Sequence, residues 1–412
     1  MKALVLAGGY PQIELILELK RRGITTVLAD WNKEPVAKPY ADIFYQESTL
    51  DIPAITRVAQ QEQVDFLITV CTDQALLTVA QVSEQLGLPC YISYETALNV
   101  TNKAYMKKMF AKYNVPTSQY VTMGQLDPEA ISHLRYPLIV KPVDCNSSKG
   151  VKKVTDLQEL EVAFADAVRF SRTNTAIVEE FVTGEELSVD VYVESGKAHV
   201  LCVSNSDKIA SSDKFVIFRG KYPAVAEGPI MDKIRTTAQQ IAEAFGLQDS
   251  PMLIQLLCDG ENIYVLEFSA RTGGGVKYRM IQNVSGFNVV KAVVDLTLGE
   301  KPHVQTTEPR CKYLANEFIY CRDGVFDHYE NFDRLQEEGV LSEYFLFKWK
   351  GARFDGVENS GDRVGGFTIM DNTLEGIVEK HNTAVRELRV IDENGQDMMR
   401  HDLLAPLTFH LF

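Results

Sequence analysis

Residues 252–275 read MLIQLLCDGENIYVLEFSARTGGG. Two apolar runs, 252–258 and 263–268, flank the turn Asp259-Gly260-Glu261-Asn262. An Asp-Gly pair between such runs predicts a β-hairpin. Side chains two apart on a strand share a face, so Glu267, Ser269 and Arg271 point one way, with Gln255 across from them on the paired strand. One surface then gathers oxygen donors and a guanidinium. Hard cations such as Mg²⁺ take oxygen ligands, commonly one or two carboxylates plus substrate phosphates. The arginine fork suits a phosphate or a carboxylate, and Gly273-Gly274-Gly275 lets backbone approach a ligand closely. A glutamate ending an apolar strand is, by itself, more often a solvated strand end. A second stretch far upstream asks for the same ligand.

That stretch is 138–151, LIVKPVDCNSSKGV. Lys141 ends a strong apolar strand, where an unpaired buried ammonium is costly and wants an anion. The loop 144–151 is small, polar and closes on glycine. Such loops offer N–H groups and hydroxyls to phosphate oxygens; the alternative is a flexible hairpin turn. With Lys141 directly before it, phosphate binding leads. Downstream, an apolar strand at 176–178 runs into Glu179, Glu180, Phe181 and Val182 and then into a second strand. A base could pack on those apolar side chains, and Glu186 could accept from a ribose hydroxyl. Without that context, acidic residues around a turn are solvated.

Residues 2–7, KALVLA, a loop at Gly8-Gly9-Tyr10, a helix ending at Gly23 and a strand at 25–29 form a βαβ unit with a buried parallel sheet. The glycine loop lacks a full G-x-G-x-x-G and is a weak dinucleotide fingerprint. Helix, strand and helix alternate on to about residue 98, and a helix follows Asn102-Lys103. The polar stretch 205–220, with Lys208, Lys214 and Arg219, reads as a long loop over a site. From about 305 short strands and one helix at 374–388 suggest a small α+β domain.

The chain has 412 residues, enough for two to four domains, with 45% hydrophobic and 24% charged residues. Its formal net charge of −14 favours neither a nucleic-acid backbone nor an anionic membrane. The seven cysteines are scattered, without a C-x-x-C pair or zinc spacing, which suggests reduced thiols in a cytoplasmic protein. The N-terminus does not read as a signal peptide, and no apolar run has the length of a membrane span.

Four stretches, 101–116, 137–151, 176–191 and 254–275, resemble in order and spacing the ATP-grasp superfamily, including its L-amino-acid ligases and carbamoyl-phosphate-synthase-like proteins. The resemblance implies an α/β and α+β multidomain fold. A Rossmann-like pre-ATP-grasp domain (1–98) would precede a two-subdomain ATP-grasp domain (99–304, lid about 115–180) and an α+β C-terminal domain (305–412). It implies ATP and Mg²⁺ (or Mn²⁺). Lys103 and Lys141 would contact nucleotide phosphates, and Ser147, Ser148 and Gly150 would lie in a mobile loop over them. Glu179, Glu180, Phe181 and Val182 would line the adenine pocket, and Glu186 would hold the ribose. Gln255, Glu267 and Ser269 would be metal ligands, and Arg271, with Lys141, would serve catalysis. Two positions depart from the common pattern: Gln255 stands where the first ligand is commonly acidic, and Ser269 where the third is commonly Asn. The implied reaction is ATP-dependent joining of a carboxylate to an amine, an amino acid among them, through an acyl phosphate. Alternatives are a formate- or bicarbonate-activating enzyme of purine or carbamoyl metabolism and a non-catalytic ATP-binding module. The implied partners are small-molecule carboxylate and amine substrates and a second copy in a homodimer, with no nucleic acid or membrane.

Overall fold

The computed structural model describes residues 1–145, 150–209 and 215–409. The N-terminal alternation builds a parallel sheet in the order Ile43–Gln46, Thr25–Asp30, Lys2–Leu6, Phe66–Ile68. Both faces of these strands are apolar because both are covered. Ala3 and Val5 pack on Leu15, Ile16 and Leu19 of helix Tyr10–Arg21. Leu4 and Leu6 pack on Ile55 and Val58 of helix Ile52–Glu62 and on Ala75 and Val79 of helix Asp73–Leu86. Helix Tyr10–Arg21 also shares a core with Val289, Val290 and Val293 of helix Val289–Thr297, which ties this layer to the rest of the chain.

A small antiparallel sheet follows, ordered Tyr120–Met123, Ala176–Glu180, Leu138–Pro142, Lys152–Val154. Leu138, Val140 and Val178 bury one face against Leu160 and Phe164 of helix Leu157–Phe170. Alternation therefore turns Ile139, Lys141, Ile177 and Glu179 to the other face.

The hairpin expected at 252–268 spans Ser250–Cys258 and Ile263–Ser269 and edges an eight-stranded antiparallel sheet. From the hairpin inward, the order continues Glu185–Glu194, Lys197–Lys208, Ile217–Tyr222, Tyr313–Ile319, Gly365–Asp371, Glu343–Leu346. Leu187, Val189, Ile254, Leu256 and Phe268 bury one face against helices Lys103–Lys112 and Pro229–Ala244. Gln255 and Glu267 alternate with these residues and lie on the opposite face.

Two expectations change. Among its described residues, the polar stretch 205–220 is mostly strand, not loop. Residues 205–208 and 217–220 belong to two central strands; 210–214, including Lys214, lie outside the described residues. Their polarity misled because the charges pair with one another across strands, as Lys221 does with Asp207 at 3.1 Å and Arg219 with Glu317 at 2.5 Å. The large sheet also crosses residue 305 unbroken, since Tyr313–Ile319 pairs with Ile217–Tyr222. Among the described residues beyond 305, Arg353–Phe354, Gly324–Glu330 and Arg389–Asp392 form a separate small sheet, while helix Leu374–Glu387 packs on the large one through Ile377 and Ala384. Among the described residues no helix is long and apolar enough to cross a membrane.

Candidate active site

The hairpin fixes the first part of the site. Asp259 Oδ1 accepts from the amides of Glu261 (2.9 Å) and Asn262 (2.6 Å), which shapes the turn and sets the register. Gln255 then sits directly across from Glu267, and Leu253 across from Ser269. Gln255, Glu267, Ser269 and Arg271 line one cleft with Asp73, Thr101 and Lys103.

Lys103 opens helix Lys103–Lys112, whose start is capped by Asn102 accepting from Tyr105 N at 3.0 Å. The cap aims the lysine across the cleft. Its Nζ lies 2.9 Å from Glu267 Oε2 and donates to Cys145 O at 2.8 Å. Burial pushes the Glu267 carboxyl up, but the Lys103 ammonium prevails and holds it below the ordinary value. Burial likewise opposes the Lys103 charge, and Glu267 prevails there, so its pKa is raised.

The small antiparallel sheet supplies a second charged group. Lys141 and Glu179 share its helix-free face, with Nζ and Oε1 at 2.5 Å. Sequence reasoning missed the third member. Lys107 is 1% exposed, lies 2.7 Å from Glu179 Oε2 and donates to Thr117 Oγ1 at 2.5 Å. One carboxylate thus bridges two buried ammoniums and accepts from Ser118 Oγ at 3.0 Å. Burial would raise the Glu179 carboxyl; Lys107 and then Lys141 outweigh it and hold it at about 2. For Lys107 burial wins, and its ammonium sits below the ordinary value. A lysine one residue after the buried Met106 and three before the buried Phe110 was the signal available in the sequence.

The remaining expected nucleotide residues divide. Glu186 is buried, bonded by Lys208 Nζ and 3.4 Å from Gln255 Nε2, which brings it beside the hairpin. Glu180 turns to the other side of that sheet, where Arg135 Nε and Nη2 each donate to it at 3.1 Å. Phe181 donates its amide to Pro137 O at 3.0 Å, and Lys153 Nζ lies 3.9 Å over its ring. Val182 is partly buried beside it. Gly150 has φ +71°, and a Cβ there would lie 2.9 Å from Pro142 Cγ, so only glycine fits. Ser147 and Ser148 lie outside the described residues.

Arg271 has a partner no local pattern announces. Asp73, the first residue of helix Asp73–Leu86 in the N-terminal layer, takes its guanidinium on both oxygens, with Nε to Oδ1 at 2.7 Å. Ser269 Oγ also donates to Asp73. Burial acts against the Asp73 charge, but Arg271 prevails and lowers its pKa. The N-terminal layer therefore reaches into the cleft and orients the hairpin's arginine.

The donor set suits a hard cation carried on phosphates. Glu267 offers a carboxylate on which the Lys103 ammonium already stands, and Gln255, whose amide nitrogen faces Glu186, keeps its amide oxygen for a cation. Among the described residues no group of three or more His, Cys, Asp or Glu could cage a metal.

The family model for an ATP-grasp domain matches residues 134–279, which hold three strands of the small sheet and the hairpin. The chain is 22% identical over 299 residues to the carbamoyl phosphate synthase large chain of Clostridium acetobutylicum, over 71% of this chain and 27% of that one. It is 27% identical over 192 residues to the phosphoribosylamine–glycine ligase of Haemophilus influenzae, over 45% and 44% of the two chains. It spans less than half the length of either relative. The fold superposes on the L-amino acid ligase of Bacillus licheniformis with a TM-score of 0.78 at 19% identity, covering 95% of this chain and 99% of that one. The family match and the superposition agree: residues 134–279 match an ATP-grasp domain, and over nearly its whole length the chain shares the fold of that ligase.

Proposed function

We propose that this protein is an ATP-dependent carboxylate–amine ligase. The observation that carries the reading is the convergence of Lys103, Glu267 and Arg271 in one cleft, with Lys141 on the lid face of the same domain, each already paired with an opposite charge. A site that neutralises itself in this way exchanges internal partners for an incoming anion without stranding a buried charge.

Carboxylate carbon resists attack because oxide is a poor leaving group. A carboxylate oxygen therefore attacks the γ-phosphorus of ATP, the bond to the β–γ bridging oxygen breaks, and ADP leaves. The amine nitrogen then bonds to the acyl carbon as the carbon–oxygen bond to phosphate breaks, releasing phosphate and a proton. The protein contributes position and charge. Lys141 and Lys103 hold phosphate oxygens, and Arg271 steadies the transferred phosphoryl group. Glu179 and Glu186 face the nucleoside, with Phe181, Val182 and the backbone of Glu180 along the base. Gly150 would serve the phosphate-binding loop together with Ser147 and Ser148, which lie outside the described residues. Gln255 and Glu267, with Ser269, would hold Mg²⁺ or Mn²⁺, which when bound neutralises charge on the phosphates. The substrates are a small carboxylate and an amine, and the protein acts in the cytoplasm as a homodimer.

The test is ADP release with ATP and Mg²⁺ against pooled amino acids and small carboxylates, wild type beside Glu267→Ala. A pool that stimulates release, with stimulation lost in the variant, is the expected result. Silence of folded, ATP-binding wild type across the panel would refute the reading. Stimulation by formate or bicarbonate alone would move the protein to a different acceptor.

A further inference from the structure

Arg219 is buried in the middle of the large sheet, and all five of its N–H donors are engaged. Nε donates to Glu317 Oε1 at 2.5 Å, Nη1 to Asp207 Oδ2 at 3.4 Å and Nη2 to His381 Nε2 at 3.0 Å. The other two bonds leave the sheet and its helix. Nη2 donates to Ala405 O at 2.6 Å and Nη1 to Pro406 O at 3.3 Å. Those carbonyls belong to a strap, residues 401–409, laid beside helix Leu374–Glu387. Leu403, Leu404 and Leu407 bury with Ile377 and Ala384 of that helix, and Phe409 meets Tyr313 edge-on at 5.1 Å. Ala405 and Pro406 are themselves exposed, so one thickness of chain separates the guanidinium from water.

Under this cover Glu317 is fully buried, and its Oε2 has no hydrogen-bond partner among the described residues. The charged groups facing it are Arg219, Lys221 and Asp207 from the neighbouring strands. Helix Leu374–Glu387 faces it with His381, strand Gly365–Asp371 with the apolar Phe367, and the strap faces the cluster with backbone carbonyls. Because Arg219 donates to His381 Nε2, the imidazole is neutral, and burial and then Arg219 hold its pKa at about 4. Glu317 is the group here that titrates toward neutrality, since burial pushes it up to about 7 against the pull of Arg219. An ionised carboxylate with an unpartnered oxygen gains by meeting water, and the strap stands in the way.

We infer that Arg219 and Glu317 form a pH-sensitive latch on the strap 401–409: the strap lies closed over a protonated Glu317 and lifts as Glu317 ionises and takes up water. The raised value belongs to the closed strap and the ordinary value, 4.5, to the open one. Closure is therefore firmest below pH 4.5, weakens as pH climbs to about 7 and changes no further above that. A gap of about 2.5 between the two values makes the opening equilibrium rise roughly 300-fold across that window. The latch strands also reach the site. Alternation turns Gly220, next to Arg219, toward Lys277, and Phe318, next to Glu317, against Gly275 of the glycine run after Arg271. A shift of the latch moves the wall behind that run.

Amide hydrogen exchange of the strap in the full chain tests the latch, from about pH 4.5 to about pH 9, corrected for the intrinsic pH dependence of exchange, with the hairpin Ser250–Ser269 as reference. Strap amides should exchange faster than hairpin amides, and their opening should climb with pH and level off near 7. Glu317→Gln should remove the climb. Asp207 pushes the Glu317 carboxyl up, so Asp207→Asn should move the end of the climb to lower pH, a directional shift that a merely structural aspartate would not produce. Asp207 is partly exposed, so that variant reports even if Glu317→Gln fails to fold. Strap amides that exchange only together with the hairpin, strap opening that ignores pH, or a climb unchanged in either folded variant overturns the inference.

Discussion

Replacing Glu179 by Gln keeps the shape of the side chain and removes its charge. It leaves Lys107, 1% exposed, and Lys141, 7% exposed, facing each other without their shared anion. The two lysines hold the carboxyl at about 2, against an ordinary value of 4.5, despite burial that pushes the other way. The difference is about 2.5, and at ~1.36 kcal/mol per pH unit it corresponds to roughly 3 kcal/mol. Breaking one side of a buried ion pair typically costs about 3–5 kcal/mol, the same range. A pKa depressed on folding stabilises the protein above the unfolded value of 4.5 and ceases to do so as pH falls through about 2. Urea unfolding of wild type and Glu179→Gln should therefore differ by about 3 kcal/mol at pH 7, with the gap closing from pH 4.5 downward. A difference below about 1 kcal/mol at pH 7, or one that does not shrink in acid, would refute the pairing as the reason for the depressed carboxyl.

Two further outcomes follow from other pairs. Asp73→Asn should free Arg271 and lower kcat/KM by about 10- to 100-fold, because one charge-assisted bidentate contact is worth roughly 1.5–3 kcal/mol. Asp73→Glu should restore part of that loss, and steady-state kinetics with unchanged activity in Asp73→Asn would remove the positioning role. Glu317, fully buried beneath the C-terminal helix, is pushed up to about 7 by burial despite Arg219 at 2.5 Å. Its folded pKa is raised, so stability declines as pH climbs from 4.5 to about 7. Glu317→Gln should flatten that slope in a series of urea midpoints, and an unchanged slope would assign it to other groups.

The sequence alone determined what depends on neighbours in the chain. Period-two alternation and the Asp-Gly turn set the hairpin, its register and the face shared by Gln255, Glu267 and Ser269. A lysine ending an apolar strand announced that Lys141 wanted an anion, and the alternation at the N-terminus announced a parallel sheet covered on both faces. What remained invisible depends on segments that meet only in the folded chain. Glu180 and Glu179 are adjacent acids in one strand, yet alternation puts one on Arg135 at the surface and the other on two buried lysines. The stretch 205–220 looked like a solvated loop because its charges were counted without their partners, and those partners sit on neighbouring strands. Asp73 and Arg271 are 198 residues apart. No local propensity links them; a helix start in one layer and a hairpin end in another are brought together only by packing. Burial then turns each such meeting into a requirement, because a charge removed from water must find its partner wherever the fold has placed it.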